Sequence, residues 1–171
     1  GESGLHGEPV KIGAPHFVDF GKNMQHSPDG KAYLVAHGAS DGRNRRFGYN
    51  SWITGDEIYL LRVTPAIANM NDSSKYEFWN GRRWTRRFEQ IKPIAAWRDN
   101  MGCVTMTYNA PLKTHFMCVT DGGTTGGYFN SYLLESPSIT GPFRLVHYLR
   151  HFGEQAYFLN IPSKFISDDG R

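Results

Sequence analysis

Apolar positions in this chain recur with the spacing of β-strands, and helical periodicity is almost absent. Short runs of β-branched, aromatic and aliphatic residues are bounded by Gly, Pro, Asn and Asp, the punctuation of turns. Residues 16–20 read as a strand, and a long connection ends in Ser27-Pro28-Asp29-Gly30, after which residues 32–37 return. Strands at 51–53 and 57–63 follow, split by Thr54-Gly55-Asp56. Segments 76–79 and 84–88 flank Asn80-Gly81, a dipeptide suited to a tight turn with positive φ. Segments 103–108 and 115–120 flank Ala110-Pro111-Leu112-Lys113 as the arms of a hairpin. Strands at 132–135, 144–148 and 156–161 complete the set, and 164–167 runs into a last turn. One helical turn is expected, around 64–69.

The strands echo one another. Ile58-Tyr59-Leu60-Leu61-Arg62-Val63-Thr64-Pro65 resembles Ser131-Tyr132-Leu133-Leu134-Glu135-Ser136-Pro137-Ser138, 73 residues later. Turns recur at 27–31, 109–113 and 167–171. An all-β chain repeating a four-stranded unit of about 60–80 residues reads as a β-propeller. A β-sandwich, which also spaces short strands by turns, is the competing architecture. The end at Asp168-Asp169-Gly170-Arg171 reads as a turn lacking its second strand, and 9–13 as the outer strand of a preceding unit. The expectation is therefore an internal fragment of a propeller.

The 24 aromatic residues supply far more burial than a disordered chain offers. The longest apolar stretches, 33–36 and 156–159, fall well short of the ~20 residues a membrane helix needs. No charged-then-apolar leader opens the chain, so any secretion signal is expected to be gone already. The net charge of +3 is small, but arginine is clustered at Arg43, Arg45 and Arg46 and again at Arg82, Arg83, Arg86 and Arg87. Such clusters are solvated faces or edge-strand guards, or a surface for an acidic ligand. No nucleic-acid-binding motif accompanies them. Cys103 and Cys118 are expected nearly opposite each other on the two arms of one hairpin, and a buried thiol pair is favoured over a disulfide. Without Cys-x-x-Cys or Cys/His clustering, zinc has no ligand set.

Three stretches carry a resemblance: Pro15-His16-Phe17-Val18-Asp19-Phe20-Gly21-Lys22-Asn23, His26-Ser27-Pro28-Asp29-Gly30-Lys31-Ala32-Tyr33-Leu34-Val35, and Phe152-Gly153-Glu154-Gln155-Ala156-Tyr157-Phe158. They resemble a group of microbial secreted, glycosidase-like proteins related to the five-bladed propellers of the arabinanase, levansucrase and invertase superfamily. Leu134-Glu135-Ser136-Pro137-Ser138-Ile139-Thr140-Gly141-Pro142-Phe143 is similar to a segment common in that superfamily's blades. The likeness runs from Gly4 to Arg171. It implies that 1–14 end a preceding blade, that 15–92 and 93–150 are two blades, and that 151–171 start a third. It also implies an extracellular setting and, as partners, the remaining blades or a second copy of the chain.

In a propeller the innermost strands line a channel, and ligands bind at its mouth. Segments 16–21, 103–109 and 156–161 are the expected innermost strands. Superfamily glycosidases resembling this chain place one acidic residue on each of three such strands. Position by position, Asp19 becomes the base or nucleophile and Glu154 the general acid. Asp99 matches the third role poorly because it precedes its strand. One carboxyl must be protonated to release the leaving oxygen while another stays ionised. The competing reading has Asp19 bonded to backbone or Lys22, and Glu154 paired with Arg150 or His151. His26, Asn109, Asn160 and Trp52 are the expected substrate-binding neighbours, with Tyr49, Tyr108 and Trp97 as further stacking rings. His37 and Asp56 read more readily as a strand histidine and a turn residue. Asn71-Asp72-Ser73 is an acceptor sequon, relevant only in a eukaryotic secretory pathway.

No Gly-x-Ser-x-Gly elbow occurs, and glycine-rich 121–127 lacks the lysine and helix of a phosphate loop. No cofactor is called for; calcium would bind, if anywhere, near Asp19 or Asp121. The resemblance thus implies a secreted carbohydrate-active propeller, in the first place a glycoside hydrolase acting on a plant or microbial polysaccharide. The alternatives are a non-catalytic glycan-binding propeller and a polysaccharide lyase, with no nucleic acid and no membrane involved.

Overall fold

The computed structural model describes residues 12–38, 55–121, 127–154, 156 and 158–171. The expected strand at 51–53, the rings of Tyr49 and Trp52, and the cluster Arg43, Arg45 and Arg46 lie outside these residues.

The described chain is all-β, arranged as two antiparallel sheets, neither closed into a barrel. In the first sheet β1 (Ile12–Phe17), β2 (Ala32–Gly38), β3 (Glu57–Val63), β4 (Glu77–Trp79) and β5 (Trp84–Thr85) pair in chain order. A further strand, β6 (Pro93–Ala96), which the hydrophobic pattern does not announce, pairs with the first half of β3. The second sheet is a four-stranded meander of β7 (Thr105–Asn109), β8 (Thr114–Asp121), β9 (Asn130–Ser136) and β10 (Arg144–Leu149). The two echoed segments are β3 and β9, the third strand of each sheet.

Several expectations are corrected. Ile12 and Gly13, read as an outer strand of another unit, belong to β1 and pair with Gly38 and His37. Among the described residues of 156–161 there is no strand, and Ser163–Phe165 is a 3-10 turn. Leu159 instead offers its carbonyl to the Thr105 hydroxyl (2.6 Å), so side-chain bonding replaces a ladder there. The helical turn sits at α1 (Ile67–Met70). No helix is long and apolar enough to cross a membrane among the described residues.

Alternation along β3 shows how the core is built. Ile58 and Leu60 join Met106, Met117, Val119 and Leu134 of the second sheet in one cluster, so the two sheets pack face to face. Tyr59, Leu61 and Val63 point the other way, into a second cluster with Phe78 and Ile91. Covered on both faces, β2 is buried along its whole length. Arg62 straps this sheet: it pairs with Asp29 (2.7 Å) and Glu77 (2.8 Å) and lies 4.1 Å over the Trp84 ring. Arg62→Met removes both charged contacts and is expected to cost about 1–3 kcal/mol, read from the urea midpoint.

Two of the recurrent turns are built alike. In Ser27–Lys31 and Ser167–Arg171 the serine hydroxyl donates to the carbonyl of the closing basic residue, at 2.7 and 2.9 Å. The aspartates Asp29 and Asp169 accept that residue's N–H at 3.1 and 3.2 Å. Gly30 and Gly170 take φ of 71° and 85°, which only glycine adopts at little cost. The β7–β8 turn differs: there Asn109 accepts the Leu112 N–H (3.1 Å) and donates to the Gly170 carbonyl (2.9 Å). The second turn thereby clasps the third.

Cys103 and Cys118 are both buried, and no disulfide joins them. The register pairs Cys118 with Thr105, which puts Cys103 opposite Thr120, two positions out of step. Burial raises the thiols to about 12 for Cys103 and about 11 for Cys118, outweighing hydrogen bonds from Thr120 and Thr105. At pH 8 the thiolate fraction is then of order 10⁻³ or less. Iodoacetamide should leave the native protein unmodified and label both thiols in denaturant, as intact mass will report.

Candidate functional site

Past Phe17 the chain leaves the first sheet for the second. Val18 N–H still donates to the Tyr33 carbonyl (2.8 Å), but Asp19 N–H donates to Met106 (2.9 Å) and Asp19 accepts from Tyr108 N–H (2.9 Å). This parallel bridge to Thr107 sets the first strands of the two sheets side by side. Bonded on both sides, the Asp19 backbone has no freedom to redirect its side chain.

The Asp19 carboxylate accepts three hydrogen bonds. Oδ1 receives Gly21 N–H (2.9 Å) and the Ser163 hydroxyl (2.7 Å), and Oδ2 receives Ser163 N–H (2.7 Å). Partial burial works to raise its pKa, yet the donors outweigh burial and hold the group below the usual carboxylate range. Lys22, the lysine considered as its partner, makes no ion pair with it.

Asp19 lies on a cleft of about 760 Å³, within the size range of small-ligand sites. The walls come from the three recurrent turns and their approaches: Gln25 and His26, Ala110 and Pro111, and Ser167 and Asp168. Tyr108, Lys22 and Lys164 complete the polar lining. The exposed His26 ring stands 6.0 Å from the Tyr108 ring, which packs 4.8 Å from buried His115. Burial lowers the His115 pKa against a hydrogen bond to the Ser136 backbone, keeping that ring neutral behind the wall.

Of the expected site residues, Asp19 and His26 line the cleft; Glu154, Asp99, Asn109 and Asn160 are not among its lining residues. Glu154 is exposed, forms an isolated bridge with Tyr128, and makes no ion pair with Arg150 or His151. Asp99 sits in a turn at φ 61°, its N–H donating to Asp56 Oδ1 (2.8 Å). Asn109 is fully buried and spends its amide on the two turns described above, while Asn160 is exposed. Trp52 lies outside the described residues.

No known family model matches the chain, and no curated protein matches its sequence. The cleft therefore has to be read from its own geometry. Two participants had no sequence signal strong enough to single them out. Ser163 reaches Asp19 across 144 residues, which no local pattern encodes. Asp168 was visible only as a turn residue, although the likeness of Ser27–Lys31 to Ser167–Arg171 marks its turn as a repeated part.

Among the described residues, no group of three His, Cys, Asp or Glu side chains gathers as a metal site. Asp121 is engaged by the Tyr132 hydroxyl and by Asn130 Nδ2 (2.8 Å). Trp97, expected as a stacking ring, packs 4.8 Å from Tyr132, which stacks on Tyr148 at 4.9 Å.

Proposed function

We propose that this protein is a secreted, carbohydrate-active β-propeller that hydrolyses glycosidic bonds of a plant or microbial polysaccharide. Two successive sheets support the propeller: each places its echoed segment third, and their first strands run parallel through the Asp19–Thr107 bridge. The remaining blades, or a second copy of the chain, would complete the ring.

The observation that carries the activity is Asp19, an ionised carboxylate on a cleft lined by two of the recurrent turns and the approach to the first. Three donors keep it charged, which suits a nucleophile, a base or an electrostatic partner of a developing oxocarbenium ion, and excludes it as proton donor. The proton donor is Glu154 by resemblance and Asp168 by membership of the cleft. Turnover of a glycan panel by the intact protein, with Asp19→Asn, Glu154→Gln and Asp168→Asn, tests the reading. Loss in Asp19→Asn and in one of the other two supports hydrolysis and names the acid. Full turnover in Asp19→Asn overturns it.

A second reading is favoured by the same carboxylate. Both Asp19 oxygens are occupied by Gly21 and Ser163, as in a structural clasp. A non-catalytic glycan-binding propeller would show binding without turnover.

A further inference from the structure

The net positive charge of this protein is carried by one stretch, the β4–β5 hairpin turn and the segment that follows it. Residues 80–92 hold five cations, Arg82, Arg83, Arg86, Arg87 and Lys92, against the single anion Glu89, whereas the rest of the chain holds fourteen cations against fifteen anions. All five cations are exposed. The hairpin that carries them is pinned. Phe78 pairs with Thr85 and Trp79 with Trp84, and Asn80 Oδ1 accepts Arg82 N–H (3.0 Å) and Arg83 N–H (2.8 Å). Gly81, at φ 87°, turns the chain beside the stem of Lys92. Within the patch Arg87 pairs with Glu89 (2.8 Å), on the exposed surface.

We infer that this hairpin is a docking surface for an acidic polysaccharide, holding the protein on a polymer of regularly spaced carboxylates. The choice of polysaccharide rests on the carbohydrate reading above, and the local aromatic residues are packed inward rather than shown to a single-stranded nucleic acid or a membrane. Trp84 packs against Trp79 at 5.4 Å and Tyr33 at 5.6 Å beneath Arg62, and Phe88 packs on Phe78 at 5.2 Å. None is displayed as a platform for unstacked bases, and none offers the apolar wedge of a membrane-surface site. What the hairpin presents is guanidinium charge in forks matched to carboxylates. Among the described strands β5 pairs only with β4, so the arginines also guard a short sheet edge, a role compatible with docking.

The test is affinity electrophoresis of the full chain through gels holding polygalacturonate or neutral dextran. The protein should be retarded by polygalacturonate alone, with the effect fading as salt shortens the screening length from about 30 Å at 0.01 M to about 8 Å at 0.15 M. The variant with Arg82, Arg83, Arg86 and Arg87 all changed to Gln should lose about tenfold or more in affinity at low salt. Its melting temperature should stay unchanged, because the substituted side chains are exposed. Retardation reads binding and needs no turnover, so failure of the hydrolase reading leaves this measurement intact. Equal retardation of the four-arginine variant, equal retardation by dextran, or no retardation of the wild type would overturn the inference. So would tighter arginine-dependent binding of a single-stranded oligonucleotide than of polygalacturonate.

Discussion

Asp19→Asn is expected to lower glycan turnover by the intact protein by about 10²–10⁴-fold, the range seen when a positioned acid or base is removed. The substitution keeps one carbonyl acceptor but sets an amide N–H₂ against either the Ser163 or the Gly21 donor. It should therefore also cost about 1–3 kcal/mol of stability. A companion variant separates chemistry from scaffolding. Ser163→Ala removes the hydroxyl that reaches Asp19 Oδ1 and leaves the carboxylate and the Ser163 N–H bond in place. If Asp19 acts chemically, Ser163→Ala loses some stability but little turnover. If Asp19 is only a clasp, stability and turnover fall together in both variants.

The same carboxylate predicts an acid limb in stability. Its pKa is depressed in the folded protein, so its contribution is complete above the unfolded value and is lost as pH falls through the folded one. The window lies below about pH 4, where an unperturbed aspartate takes up its proton. Asp19→Asn should flatten that part of the stability-against-pH curve, measured by urea midpoints between neutral pH and acid.

Leu60→Ala is expected to show the largest loss of stability, about 2–5 kcal/mol, because a fully buried leucine leaves a cavity that its neighbours fill only in part. Leu60 lies in the cluster shared by the two sheets, so the loss should appear as a shift of one cooperative transition. Tryptophan fluorescence reports mainly on the first sheet, where Trp79 and Trp84 reside, and far-ultraviolet circular dichroism reports on both. Coincident curves by both probes indicate that the sheets unfold together; two separated curves would show that they are independent. Leu112→Ala, on an exposed turn position, should change the midpoint little.

Strand identity was legible wherever local pattern and turn chemistry agreed. The Asn80-Gly81 turn, the 110–113 hairpin and the echoed third strands all appear where the spacing puts them. β6 escaped notice because Pro93-Ile94-Ala95-Ala96 has neither alternation nor β-branched density, and its place against β3 comes from pairing. The 156–161 segment erred the other way. Its apolar run has strand composition, but its described residues are tied by carbonyl-to-side-chain contacts such as Leu159 to Thr105.

By itself the order of residues determined the all-β class, the repeated turns and the buried state of both thiols. These depend on alternation, on glycine at positive φ and on apolar composition, all of which act over a few neighbours. Only the tertiary structure decided which acids share a cleft. Asp19 and Asp168 meet there because a parallel bridge, a clasp from Asn109 and two bonds from Ser163 join distant stretches, whereas Glu154 and Asp99 are not among the residues lining that cleft. Convergence of that kind is a property of the path of the whole chain, and no short segment carries it.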